Sequence, residues 1–352
     1  MHTIGVDAHE QVNMAVAIDA TGREVARWRG PNTPEGWRQL VVWAAALDGD
    51  TRWGIEGAWN YGRGLAQFLV EAGATVDEVN ARWTAAGRRR ARTPGTSDGL
   101  DARAVALVVW REAGTLPAIA ADDETGLLEL LVSEREGVVT AATRLRNQAH
   151  QLLLQRDPGY RTRIPRLKTR QGLRALVSSA TDDQRPLQQQ RAGMLRRLAQ
   201  RLQLLLERAR ALATQIRTLA AARFAPLATI CGIDLLTAGA LVGLLGPGKR
   251  CTSDAQLAAY AGVAPLEASS AERVRHRLNR GGNRQRNAIL YRIALTQARC
   301  FPAAQAYLAR RVREGKTRRE ARRARERFLA RAIWRRWQEC LAAPAAPGCR
   351  AA

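Results

Sequence analysis

Two aspartates spaced one helical turn apart are the side chains of this sequence best suited to chemistry. Asp98 and Asp101 open a stretch predicted to be helical, and their i, i+3 spacing places both carboxylates on one face. Like charges this close repel each other, so the pair is mildly destabilising unless a cation or a partner neutralises it. A purely structural interpretation is also open, in which Asp98 caps the helix and Asp101 complements the helix dipole.

Two further acids lie upstream, each at the end of an apolar, strand-like run. Asp7 lies in the run of residues 3–8, and Glu56 ends the run of residues 51–56. Carboxylates in such a set bind divalent metal ions, which support phosphoryl transfer. The four acids therefore predict a site for Mg²⁺ or Mn²⁺, with Asp7 as the candidate to bridge two ions. The nearby His9 is interpreted as a loop residue.

The elements that must position these acids follow the order of a ribonuclease-H-like fold. Three strands are predicted first, at residues 3–8, 12–18 and 23–29. A helix at 34–44, a strand at 51–56, a helix at 61–71 and a fifth strand at 74–79 follow. In that fold the first and fourth strands end side by side, and a late helix supplies the remaining acids. The sequence therefore predicts an α/β domain over residues 1–121 that carries a metal-dependent nuclease site.

The positive charge of the chain belongs to the part that follows this domain. The formal net charge is +24, yet residues 1–121 carry 13 arginines against 14 acidic residues. The remainder carries 43 lysines and arginines against 18 acidic residues. Nearly all of these cations are arginine, whose planar guanidinium suits phosphate contacts. This distribution predicts chemistry in the first part and binding of a polyanion by the rest.

The middle of the chain, residues 122–222, is predicted to form long helices. Apolar residues between 195 and 219 recur in alternating steps of three and four, which is typical of a coiled-coil seam. The seam favours self-association of the protein. The alternative is an intramolecular hairpin with the helical stretch of residues 125–156.

Residues 223–340 are predicted to form a mostly helical C-terminal domain, with a disordered tail over 341–352. Residues 227–246 resemble a helix-hairpin-helix, which offers backbone N–H groups to a DNA phosphate. Residues 304–336 are predicted to be one arginine-rich helix with a phosphate-binding surface.

A second chemical centre is predicted where Ser269 and Ser270 precede a run of arginines. Guanidinium groups beside a serine hydroxyl can stabilise the charge that develops when it attacks a phosphate. Serine pairs in loops are also typical caps and turn residues, so this alternative stays open. The arginines predicted to bind nucleic acid are Arg273, Arg275, Arg277, Arg280, Arg284 and Arg286.

The cysteines and the hydropathy of the chain indicate the compartment in which the protein is expected. Five cysteines lie far apart without a C-x-x-C pair, so we expect reduced thiols in a cytoplasmic protein rather than a zinc site or a disulfide framework. No apolar run reaches membrane-spanning length, and Met1 leads directly into a strand. We therefore expect neither a membrane span nor a signal peptide.

Several motifs in one order resemble those of the IS110 family of insertion-sequence transposases. They are Gly95-x-Ser-Asp-x-x-Asp-Ala102, Leu257-Ala-Ala-Tyr-Ala-Gly-x-Ala-Pro265, Ser269-Ser270 and Arg277-Leu-Asn-Arg-Gly-Gly-Asn283. The resemblance covers nearly the whole chain. It implies a RuvC-like domain whose acidic tetrad is Asp7, Glu56, Asp98 and Asp101.

The resemblance also implies a covalent serine nucleophile in the C-terminal domain. Ser270 is the predicted nucleophile, because the family's serine is usually followed by glycine. Here Ala271 follows Ser270, so Ser269 stays the alternative. Thr96 stands where the family often has lysine, which leaves the acids intact.

The activity implied by the resemblance is the cutting and rejoining of DNA with metal-bound acids and a phosphoserine link. The implied partners are donor and target DNA, an element-encoded noncoding bridge RNA, and further copies of the chain in a dimer or tetramer, one of which supplies the serine. The expected location is the bacterial cytoplasm, on the nucleoid when DNA is bound. Two alternatives stay open: a site-specific invertase of the pilin-inversion type, and a catalytically idle nucleic-acid-binding protein.

Overall fold

The chain divides into an α/β unit followed by a helical unit. The computed structural model describes residues 1–81, 83–84, 98–179, 185–247, 251–267, 276–278 and 284–342. The first unit comprises Met1–Asp123 and Leu245–Thr252, and the second comprises Glu124–Leu244 and Ser253–Ala352. The finer division at residues 122, 223 and 341 stays a prediction, and the predicted tail from residue 343 onward lies outside the described residues.

A five-stranded mixed sheet with the order β3-β2-β1-β4-β5 forms the centre of the first unit. Its strands are β1 (His2–Ala8), β2 (Val12–Ile18), β3 (Glu24–Pro31), β4 (Thr51–Glu56) and β5 (Thr75–Val79). The pairs β1–β2 and β2–β3 are antiparallel, whereas β1–β4 and β4–β5 are parallel. This order and these directions confirm the predicted ribonuclease-H-like class of the first domain.

Helices cover both faces of this sheet. They are α1 (Pro34–Ala45), α2 (Arg63–Glu71) and α3 (Asp98–Glu112). One face packs on α1 and α2 through a core that includes Ile4, Leu40 and Leu65, all fully buried. The other face packs on α3, where Val16 meets Ala106. Because β1 is covered on both faces, its residues from Thr3 to Ala8 are all buried and mostly apolar.

Two glycines let α3 lie unusually close to the sheet. Gly5 and Gly54 are register partners in β1 and β4. A Cβ atom at Gly5 would lie 2.2 Å from the carbonyl oxygen of Ala102 and 2.2 Å from the backbone nitrogen of Ala106. A Cβ atom at Gly54 would lie 2.2 Å from a methyl group of Val109. The absence of these side chains therefore allows α3 to approach β1 and β4 closely.

Two long helices, α4 (Glu124–Arg156) and α6 (Pro186–Arg223), dominate the second unit. They pack against each other, with α5 (Arg170–Ser179) completing their core. An ion pair between Arg208 and Glu134, 2.7 Å apart, also joins the two long helices. The long-helix prediction for this region is confirmed.

The heptad seam on α6 packs within the chain. Leu195, Leu198 and Leu202 are buried in one core with Leu145 and Leu153 of α4. This arrangement is the intramolecular hairpin, the alternative that the periodicity left open. The seam therefore gives no support to self-association.

The rest of the second unit is mostly helical. Its elements are α7 (Leu235–Leu245), α8 (Asp254–Tyr260), the hairpin strands β6 (Pro265–Glu267) and β7 (His276–Leu278), α9 (Arg284–Cys300), α10 (Pro302–Arg313) and α11 (Arg318–Ala342). The single basic helix predicted over residues 304–336 is thus two helices. Gly315, with a φ of +86°, lies in the turn between them. No helix in the described part of the chain is long and apolar enough to span a membrane.

The predicted helix-hairpin-helix differs from expectation at both of its helices. The first is a short 3₁₀ segment, Ala225–Thr229, rather than an α-helix. The second, α7, is capped by Asp234, whose carboxylate accepts hydrogen bonds from the Thr237 backbone N–H at 2.8 Å and the Thr237 hydroxyl at 2.6 Å. A carboxylate therefore lies at the helix N-terminus where a DNA phosphate was expected.

Candidate metal centre

Asp7 and Glu56 lie side by side at the carboxyl ends of two parallel strands. They are register partners in the β1–β4 pair, so both side chains leave the same edge of the sheet. Asp7 is buried, with 8% of its surface exposed. The strand order predicted this pairing, and the strand register agrees with it.

The start of α3 brings Asp98 to the same edge. His9 Nε2 lies 3.1 Å from Asp7 Oδ2 and 3.7 Å from Asp98 Oδ1. One ligand atom from each of Asp7, His9 and Asp98 falls within 4.8 Å of the others, a spacing that could hold a metal ion. His9, interpreted from sequence as a loop residue, therefore belongs to the cluster. Its position two residues after Asp7 was the only sequence signal for it.

The pKa of Asp7 reflects first its burial and then the charged groups around it. Burial raises the pKa of its carboxyl above the ordinary value. His9 lowers this pKa, while the charges of Glu56 and Asp101 raise it further. Glu56 and Asp101 therefore lie within electrostatic reach of Asp7. A bound cation would offset both the burial and the mutual repulsion of these groups.

Glu56 provides the test of whether a metal fits here. Its Oε2 atom is buried and has no hydrogen-bond partner among the residues that the structure describes. A buried carboxylate oxygen without a partner is costly, and metal coordination is one way to satisfy it. Carboxylate oxygens suit Mg²⁺ and Mn²⁺, and the imidazole of His9 is also a metal-binding group. The donor set fits a divalent metal ion.

Asn32 ties together the two loops that follow the acid-bearing strands. Its side-chain N–H₂ group donates to the carbonyl oxygens of His9 at 2.8 Å and of Tyr61 at 3.0 Å. Its Oδ1 atom accepts from Asn13 at 3.1 Å and from the indole of Trp37 at 2.8 Å. Asn32 follows β3 directly, and nothing in the sequence pattern singles it out.

The predicted serine and arginine centre is largely outside the described residues. Ser269 and Ser270 lie there, as do Arg273, Arg275 and Arg280. The backbone of Arg277 lies in β7 and that of Arg286 in α9, and Arg284 is exposed at the start of α9. The roles of these residues stay predictions.

Two protein-family models match the chain. Residues 4–158 match the DEDD transposase model of the IS110 group, described as a transposase. Residues 225–309 match the model described as the transposase IS116/IS110/IS902 family. Together the two matches cover about two thirds of the chain.

Individual relatives match a smaller share of the chain. The insertion element IS110 uncharacterized 43.6 kDa protein of Streptomyces coelicolor is 35% identical over 127 residues, which are 35% of this chain and 31% of that protein. The chain thus spans about a third of the length of this curated relative.

Two solved structures of RuvC from Thermus thermophilus match 34% of this chain and nearly the whole of their own chains, and one is a complex with a Holliday junction substrate. Their TM-scores are 0.28 and 0.27, at 12% and 16% identity. Because two models of the IS110 group match successive parts of the chain, which together make up about two thirds of it, the protein belongs to the IS110 family of transposases.

Proposed function

We propose that this protein is a DNA transposase or recombinase whose chemistry depends on a divalent metal ion held by Asp7, Glu56, Asp98 and Asp101. The observation that carries the proposal is the buried, unpartnered Oε2 atom of Glu56 beside Asp7, with Asp98 in reach through His9. Membership of a transposase family supports DNA as the substrate. An idle nucleic-acid-binding protein has no use for this costly cluster of acids.

The acids of the first unit would hold Mg²⁺ or Mn²⁺ at the carboxyl ends of β1 and β4. Such an ion supplies Lewis-acid stabilisation for the charge that develops on phosphodiester oxygens. His9 contacts both Asp7 and Asp98 and so orients their carboxylates. Asn32 holds the backbone of His9 and the loop that follows Glu56.

The covalent step belongs to a serine, and Ser270 is our choice with Ser269 as the alternative. The serine oxygen forms a bond to phosphorus as the bond from phosphorus to one DNA strand end breaks. The serine proton passes to a base, and the released strand-end oxygen takes up a proton. In the reverse step a new strand end attacks the phosphoserine, which rejoins DNA and conserves the phosphodiester bond energy.

The family membership and the charge of the chain support nucleic acid as a partner, and the motif resemblance implies the RNA and the oligomer. We propose donor and target DNA, an element-encoded bridge RNA and a dimer or tetramer of this chain, acting in the bacterial cytoplasm and on the nucleoid. The arginines from Arg273 to Arg286 would contact phosphates. A pilin-type invertase would use the same residues on a different arrangement of DNA sites. Transfer of the element to a new DNA molecule would separate the two.

Trapping a protein–DNA adduct tests this function. Purified protein is mixed with Mg²⁺, the noncoding RNA transcribed from DNA beside the gene, and plasmids carrying that flanking DNA. We expect an adduct that is stable on a denaturing gel and maps to Ser270. Asp98→Asn should lower its yield at least ~100-fold, because Lewis-acid stabilisation is worth several kcal/mol. Asp48→Asn, the same change at an exposed acid of the first unit, should keep wild-type yield.

Three outcomes would count against the proposal. An adduct formed equally well in EDTA would exclude the metal. An adduct that survives Ser270→Ala but disappears in Ser269→Ala would move the nucleophile to Ser269. Equal yields from Asp98→Asn and wild type would remove Asp98 from the site.

A further inference from the structure

A groove lined by cations and by no acidic side chain runs along the two long helices of the second unit. It has a volume of about 510 Å³. Its charged lining residues are Arg135, Arg146, Lys168, Arg210 and Arg217. None of them belongs to the candidate metal centre or to the arginine run from Arg273 to Arg286.

Helical spacing explains why these cations face one groove. On α4, Arg135, Val139 and Arg146 follow each other at intervals of four and seven residues and lie on one face. On α6, Arg210 and Arg217 are seven residues apart and also share a face. At ~1.5 Å rise per residue, the α4 pair is ~16 Å apart and the α6 pair ~10 Å apart. The cations are thus spread along the groove and do not converge on one point.

Most of this charge is not neutralised within the described part of the chain. There, Arg146, Lys168 and Arg210 make no ion pair with an acid, and Arg146 donates only to Thr143 and Ala142 of its own helix. The Nε atom of Arg135 is buried without a hydrogen-bond partner among the described residues. Arg217 is the exception, since it lies 3.8 Å from Asp234.

A second cavity continues the groove. It has a volume of about 520 Å³ and shares Arg135, Val139 and Leu236 with the first. It adds Arg292 from α9 and one acid, Glu136. The cationic path therefore extends from α4 and α6 toward α9.

We propose that this groove binds the phosphate backbone of a nucleic-acid strand. A single small anion would need cations that converge, whereas a strand offers one phosphate per ~3.4 Å of axial rise and can follow cations spread over ~16 Å. Apolar side chains such as Val139, Leu206 and Leu236 between the cations offer surface to sugars and bases. The choice of nucleic acid over another polyanion rests on the proposed function.

The test measures binding by the full chain as a function of salt. The groove variant is Arg146→Gln with Arg210→Gln. The control is Arg144→Gln with Arg201→Gln, which removes the same charge from exposed positions on the same two helices outside the groove. The probes are fluorescein-labelled 30-mers of one sequence as duplex DNA, single-stranded DNA and RNA, followed by anisotropy in EDTA.

The slope of log K against log salt is negative. For the strand type that occupies the groove, we expect the groove variant to bring this slope closer to zero by about 2, roughly 1 per lost phosphate contact. The control should keep the wild-type slope. Arg146→Lys with Arg210→Lys retains both charges and should restore most of the binding, which separates lost contacts from a damaged fold. Equal slopes for the groove variant and the control with all three probes would overturn the proposal.

This result is independent of catalysis. The anisotropy is measured in EDTA and without cleavage, so it requires neither the metal ion nor the serine. A failed adduct assay with an intact groove effect would therefore count against the proposed function alone.

Discussion

Asn32 shows how one neutral side chain can support a cluster of charged ones. Both ends of its carboxamide are used, and its two donor bonds hold the backbone of the loops that follow Asp7 and Glu56. Removing a group that orients metal ligands in this way commonly changes metal affinity or activity by roughly 10–100-fold. Asn32 should therefore contribute to metal affinity as well as to stability.

We predict that Asn32→Ala weakens Mn²⁺ binding at least ~10-fold. The matched control is Asn13→Ala, because Asn13 is fully buried and donates to Asn32 but, among the described residues, does not bond to either loop. Each loss of a buried hydrogen bond should lower the free energy of unfolding by about 1–3 kcal/mol. Thermal melting and Mn²⁺ titration of both variants check this. Equal Mn²⁺ affinities for Asn32→Ala and Asn13→Ala would show that Asn32 has only a structural role.

The acids of the cluster could be predicted from sequence, but the residues around them could not. Asp7, Glu56 and Asp98 are recognisable because each ends or begins an element whose place in the fold follows from the element order. Asn32 is different, since the two groups that accept its hydrogen bonds lie up to 29 positions away and are backbone carbonyls, which carry no residue signature. His9 was undervalued because its second partner, Asp98, is distant in sequence.

At the scale of elements, the placement of α3 depends on two glycines. Gly5 and Gly54 face the helix from neighbouring strands, and both lack the side chain that would push it away. Because Ala102 lies against Gly5, the preceding helical turn brings Asp98 toward the end of β1. Close packing of α3 on these glycines thus helps to place Asp98 beside Asp7.

We predict that Gly5→Ala lowers the free energy of unfolding by about 1–3 kcal/mol or more, because the added methyl group meets helix backbone that cannot rotate away. Gly137→Ala on α4 is the control. It has open space around it, and alanine in a helix should stabilise by roughly 0.5–1 kcal/mol. Chemical denaturation of both variants is the measurement. An unchanged midpoint for Gly5→Ala would show that the helix is not fixed at this contact.

The long helices illustrate what periodicity can and cannot predict. The steps of three and four on α6 located the helix and its apolar face correctly. They did not identify the partner, because a leucine seam packs equally well on a second chain or on another helix of the same chain. Leucines of α4 form the surface on which the α6 seam packs. Their spacing is apparent in the sequence, but it does not identify α6 as the partner.

At the scale of the whole molecule, the clustered acids and the excess of positive charge belong to different parts of the chain. Residues 1–121 are nearly neutral and carry the clustered acids, whereas the excess of cations follows them. A nearly neutral first domain can concentrate carboxylates around a metal ion, and a cationic remainder attracts phosphates. The division was evident from composition, but the groove on the long helices required the helix pairing to be known.

Binding of Mn²⁺ to the full-length protein tests the central claim most directly, and electron paramagnetic resonance of the free ion can follow it. We predict that the wild type binds Mn²⁺ and that Glu56→Gln weakens this binding at least ~10-fold, because it removes the buried oxygen that lacks another partner. Glu71→Gln, the same change at an exposed site in the first unit, should bind like the wild type. Equal Mn²⁺ affinities for Glu56→Gln and the wild type would contradict a metal centre at this edge of the sheet.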